Sequence, residues 1–99
     1  MAARTRYLLT YDIREARRLR RVHQVALDHG YPLQYSVFIC DLTAQELIRL
    51  RSALEGEMHL GSDSVSVFDL GPADGRGITC VEHLGPQRTM PEPGREEIW

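Results

Sequence analysis

The sequence predicts an α+β fold in which two helices cover one face of a single antiparallel sheet. Three observations carry that expectation. Apolar runs rich in β-branched and aromatic residues alternate with two segments of three- and four-residue apolar spacing. A capping box opens the second of those segments, and Gly and Pro punctuate the joins. Two helices suffice for one sheet face, so the other face must meet water or a partner.

Taken in order, residues 5–12 read as a first strand, because Tyr7-Leu8-Leu9-Thr10-Tyr11 lacks the polar alternation of a half-exposed one. The period then changes. Ala16, Leu19, Val22, Ala26 and His29 recur at helical spacing across residues 14–29, and Gly30 stands at the expected C-cap. Pro32 is expected to break the chain. Leu33–Leu42, LQYSVFICDL, reads as one strand, or as a short strand followed by a longer one. Thr43-Ala44-Gln45-Glu46 is a capping box flanked by Leu42 and Leu47 at the hydrophobic-staple positions, so a second helix starts there. Its inner edge is marked by Leu47, Leu50, Arg51 and Leu54, and the stretch from Gly56 to Gly61 ends it. Ser62–Leu70 alternates as a strand, GPADGRG is a turn, and Ile78–Leu84 reads as a last short strand. Residues 1–84 form the domain, and 85–99, with three of the five prolines, form a tail.

That order is a βαββαβ-type, ferredoxin-like sandwich. If Leu9, Val37, Ile39, Val65 and Val67 face the helices, then Leu8, Phe38, Cys40, Phe68 and Leu70 fall on the open face. An apolar open face on so small a chain, 99 residues in all, predicts a homodimer through the sheet, across a two-fold axis.

Composition narrows the function classes. A hydrophobic fraction of 42% and a charged fraction of 26% describe an ordinary globular protein with a core. Net charge is −2, so attraction to nucleic acid must come from local clustering. All twelve basic residues are arginine, and five lie between Arg14 and Arg21. Cys40 and Cys80 stand apart in strand-like runs, which fits free buried thiols better than a disulfide or zinc site. The histidines at 23, 29, 59 and 83 share no metal-ligand spacing. With no leader-like segment and no run long enough to span a bilayer, a cytoplasmic location without membrane contact is expected.

Asp12 is the candidate for chemistry, because it ends the first strand beside the arginine cluster. Two readings are balanced. It caps the first helix and pairs with an arginine, or it is a metal ligand, with a second Asp12 across the two-fold axis completing a site for one divalent ion. Arg14, Arg17, Arg18 and Arg21 likewise form either a solvated helix face or a phosphate-tracking surface.

The motifs YLLTYDI with its basic helix, LQYSVFICDL running into TAQEL, and DSVSVFDL resemble, in order and spacing, the CRISPR-associated protein 2 family. The resemblance spans residues 7 to about 84. It implies a ferredoxin-like homodimer whose first-strand acids face each other and bind Mg²⁺ or Mn²⁺. It implies phosphodiester hydrolysis of RNA or double-stranded DNA, and partnership with the spacer integrase of this antiviral defence. Asp12 falls on the metal-binding acid, Tyr11 beside it, and Ser36 and Phe38 on positions near the active site or dimer interface. Arg14, Arg17 and Arg18 fall in the family's basic segment after that acid, so that with Arg21 the cluster is the expected nucleic-acid-binding surface. The alternative roles are a non-catalytic DNA scaffold for the integrase and a ferredoxin-like RNA-cleaving toxin. The 85–99 tail is expected to serve dimer or partner docking.

Overall fold

The strand carrying Asp12 lies inside the sheet, hydrogen-bonded on both sides. In the computed structural model, which describes residues 2–86, the elements are β1 (Thr5–Asp12), α1 (Ala16–His29), β2 (Tyr31–Gln34), β3 (Val37–Leu42), α2 (Ala44–Glu57), β4 (Ser64–Pro72) and the single turn α3 (Arg76–Thr79). The sheet order is β2-β3-β1-β4 and every pairing is antiparallel. This is the ferredoxin-like βαββαβ arrangement with a short helix appended.

Helix α2 starts as its capping box predicts. The Thr43 side chain accepts from the Glu46 N–H, and the Glu46 carboxylate accepts from the Thr43 N–H at 2.8 Å. Leu50 and Leu54 are its buried residues, whereas Arg51 is exposed rather than on the inner edge. From α1, Val22 and Ala26 reach the core. Gly30 does stand at the C-cap, but in extended backbone with φ −157°. Its lack of a side chain serves close approach instead: a Cβ there would strike Cys40 Sγ and lie 2.6 Å from the Ile39 carbonyl oxygen. Pro32 sits within β2, opposite Phe38, which an edge strand tolerates because the missing N–H faces outward.

Two expectations are corrected. Leu9 pairs with Phe38, and Tyr7 with Cys40, so these four share one face, and it is the helix face. Leu9, Phe38 and Cys40 are fully buried there with Tyr11, Leu42, Val22, Ala26, Leu50 and Leu54. Val37 and Ile39 lie on the opposite face with Leu8, Phe68 and Leu70. Because side chains alternate with period two, placing β3 one residue out of phase exchanged its faces. Phe38 and Cys40 therefore belong to the core and not to the open face. The second correction concerns Ile78–Leu84, which forms no strand. Gly77 tucks so tightly against Arg6 Cβ and the Pro72 and Gly71 carbonyls that the chain turns into α3, and residues 81–86 pair with no strand among the described residues. Beneath α3, Arg6 is 2% exposed and forms a bidentate pair with Asp41, both bonds at 2.8 Å. Most of the 85–99 tail, and with it any docking role, lies outside the described residues.

Candidate active site

The sheet fixes where Asp12 stands. Tyr11 pairs with Val65, and Asp12 with Ser64, while the Tyr11 N–H donates to the Ser36 carbonyl at 3.2 Å. The β2–β3 turn and the strand tip are thereby tied together, which places Ser36 beside Tyr11. Alternation along β1 puts Asp12 on the open face with Leu8 and Thr10, and its side chain is exposed.

The two structural duties that could have claimed Asp12 are filled by other acids. Glu15 is the N-cap of α1: its carboxylate accepts from the Arg17 N–H at 2.8 Å and the Arg18 N–H at 3.0 Å. Those two bonds hold the Glu15 carboxyl below its usual range. The arginine partner is Asp63, just before β4. One oxygen of Asp63 accepts from Arg18 Nε and the His59 N–H, both at 2.8 Å. The other accepts from the Arg14 N–H at 3.0 Å and Arg18 Nη2 at 3.3 Å. The Asp63 side chain has no exposed surface, and its carboxyl is held far below the ordinary carboxylate range, first by Arg18 and then by the Arg14 N–H. The Asp12 side chain makes no hydrogen bond or ion pair among the described residues. Its carboxylate is left free at the strand tip.

The other candidates separate by role. Tyr11 is a core residue, 7% exposed, whose hydroxyl donates to the Tyr35 carbonyl at 2.9 Å and lies 2.7 Å from His23 Nδ1. Burial, and then the neighbouring Tyr35, push its phenol above the usual range. Phe38 packs against Tyr11 with ring centres 6.2 Å apart. Arg14, Arg17, Arg20 and Arg21 are exposed and in no ion pair among the described residues, whereas Arg18 is committed to Asp63 and Glu15. Burial, then Asp41, push the Cys40 thiol up to about 12, which makes it an inert core group.

A divalent cation would find a suitable but incomplete donor set. Mg²⁺ and Mn²⁺ take hard oxygen ligands, and Asp12 offers an unengaged carboxylate. Among the described residues no three His, Cys, Asp or Glu side chains gather into a metal-holding group. A single chain thus contributes one acid at this point. Glu15 and Asp63 were hidden from sequence reading for different reasons. Glu15 could have been found as an acid one residue before the helical period, while Asp63 lies 45 residues from Arg18 and no local pattern joins them.

Comparison with known proteins follows the same outline. A family model described as CRISPR associated protein Cas2 matches residues 5–76. The CRISPR-associated endoribonuclease Cas2 of Geobacter sulfurreducens is 38% identical over 68 residues, covering 69% of this chain and 72% of that protein. The CRISPR-associated endonuclease Cas2 of Halalkalibacterium halodurans is 31% identical over 88 residues, covering 84% and 88%. Among solved structures, Streptococcus pyogenes Cas2 at pH 6.5 superposes with a TM-score of 0.70 at 30% identity, covering 81% of this chain and 99% of that one. No helix among the described residues is long and apolar enough to cross a membrane.

Proposed function

This chain belongs to the CRISPR-associated protein Cas2 family, and from that premise we propose that it is a homodimeric, divalent-metal-dependent endonuclease of CRISPR spacer acquisition. The carrying observation is the free carboxylate of Asp12, relieved of capping by Glu15 and of arginine pairing by Asp63. Supporting it is the open face, where Phe68 is 51% exposed on the same side of the sheet as Leu8 and Asp12. A second copy seated on that face about a two-fold axis pairs the two Asp12 side chains, which together would hold Mg²⁺ or Mn²⁺. When bound, the ion supplies polarisation of the phosphodiester and a more acidic attacking water.

Each other group then has a role. Arg14, Arg17 and Arg21 track the phosphate backbone. Arg18, held by Asp63, fixes the turn that follows Asp12. The substrates are RNA or double-stranded DNA, the partner is the spacer integrase, and the setting is the cytoplasm. Cleavage assays with Mg²⁺ test the reading. Wild type should cut a single-stranded RNA or a DNA duplex, chelation should stop it, and Asp12→Asn should reduce cutting to background while keeping its circular dichroism. Equal cutting by Asp12→Asn would refute the site.

A second reading, a non-catalytic DNA scaffold for the integrase, draws on the exposed arginines Arg14, Arg17 and Arg21. It expects no cleavage by wild type, salt-sensitive duplex binding that survives Asp12→Asn, and loss of that binding in the Arg17→Glu, Arg21→Glu double variant. Duplex binding indifferent to the double variant would count against it.

A further inference from the structure

On the opposite flank of α1 from Asp63, the ring of His23 lies flat against that of Tyr35, with centroids 4.3 Å apart and planes at 12°. His23 also meets the core ring of Phe38 edge-on at 5.4 Å and 69°. Phe38, His23 and Tyr35 thus form three aromatic tiers running from the core to solvent. The outermost, Tyr35, is 57% exposed on the two-residue turn between β2 and β3.

Its backbone is fixed as firmly as its ring. The Tyr35 carbonyl accepts from the Tyr11 hydroxyl at 2.9 Å and lies 3.0 Å from His23 Nδ1, an arrangement that closes when Nδ1 carries the proton. Beside the pair runs an open groove of about 210 Å³, lined by His23, Leu27, Pro32, Leu33, Gln34 and Tyr35. One turn before His23, on the same flank of the helix, stands the exposed Arg20.

We propose that Tyr35, stacked on His23 and flanked by Arg20, is a platform for one unpaired nucleobase, and that it biases this chain toward single-stranded nucleic acid. The proposal rests on the reading of the chain as a nucleic-acid enzyme and specifies its substrate. A pre-stacked π-face accepts any base without sequence preference, and Arg20 supplies the charge for the adjoining phosphate. Bases within a duplex are already stacked on each other and offer no free face. The platform stands at the same sheet end as Asp12, because the residue after Tyr35 is Ser36, whose carbonyl binds the Tyr11 N–H.

The test measures binding without cleavage, on an Asp12→Asn background. Fluorescence anisotropy of a short labelled single strand and of a duplex of the same length gives their affinity ratio. Adding Tyr35→Ala should shift that ratio about tenfold toward the duplex. Tyr35→Trp should preserve the ratio, and its new indole should be quenched by the single strand beyond any change in the wild-type Trp99 signal. An unmoved ratio in Tyr35→Ala, or an unquenched indole in Tyr35→Trp, overturns the platform; the second readout decides even if the alanine variant folds poorly. Wild type that cuts while the ratio ignores Tyr35 keeps the Asp12 site and removes the platform, whereas stacking without cutting does the reverse.

Discussion

At the scale of single residues, three acids divide three tasks that the sequence offers to one. Glu15 caps, Asp63 pairs, and Asp12 keeps an uncommitted carboxylate. Asp12 stands out in the sequence, and Glu15 is legible as the acid before the helical period, but Asp63 is not, because its bonds to Arg14 and Arg18 exist only after β4 has come beside β1. Its role has a pH signature. The folded carboxyl is held far below its unfolded value of about 3.9, so the stability it adds is complete above about pH 4 and is lost as pH falls further. Thermal melting followed from about pH 6 down to about pH 3 should therefore show a steeper loss of Tm in wild type than in Asp63→Asn, whose side chain cannot titrate. Parallel curves would contradict the assignment.

At the scale of elements, local signals read the ends of helices well and the faces of strands poorly. The capping box at Thr43 needs four neighbouring residues and was legible as such. The face of β3 was not, since VFICDL is apolar at five of six positions and alternation gives no phase. Only pairing with β1 supplies it, by setting Phe38 against Leu9. Truncating Phe38 to alanine should cost about 3–5 kcal/mol in chemical denaturation, the range for a large buried aromatic, and a loss below about 1 kcal/mol would argue against a core position. Gly30 was located correctly for a different reason from the one its position suggests. Gly30→Ala forces a Cβ against Cys40 Sγ and the Ile39 carbonyl, backbone that cannot swing aside, and should destabilise by about 1–3 kcal/mol. A neutral effect would show that β3 yields at that point.

At the scale of the whole molecule, the order of elements was enough to give the ferredoxin-like sandwich, because two helices and one antiparallel sheet leave few arrangements. The region after β4 was misread because Ile78–Leu84 has strand composition while the close seating of Gly77 on Arg6 bends the chain into α3. The open face left by this architecture predicts the dimer. Phe68→Glu should give a monomeric mass by light scattering with a Tm close to wild type, whereas Phe38→Glu should unfold the chain outright. A wild-type monomer at micromolar concentration would remove the basis for a shared site. The central claim, that two Asp12 carboxylates from two chains make one site, is tested most directly by mixing. Wild-type and Asp12→Asn chains, unfolded together in equal amounts and refolded, form mixed dimers in which only one acid remains. If both acids are needed, the mixture should keep about a quarter of the wild-type cleavage rate, the share of dimers with two intact chains. Retention of about half would mean that each Asp12 acts alone, and would contradict the account.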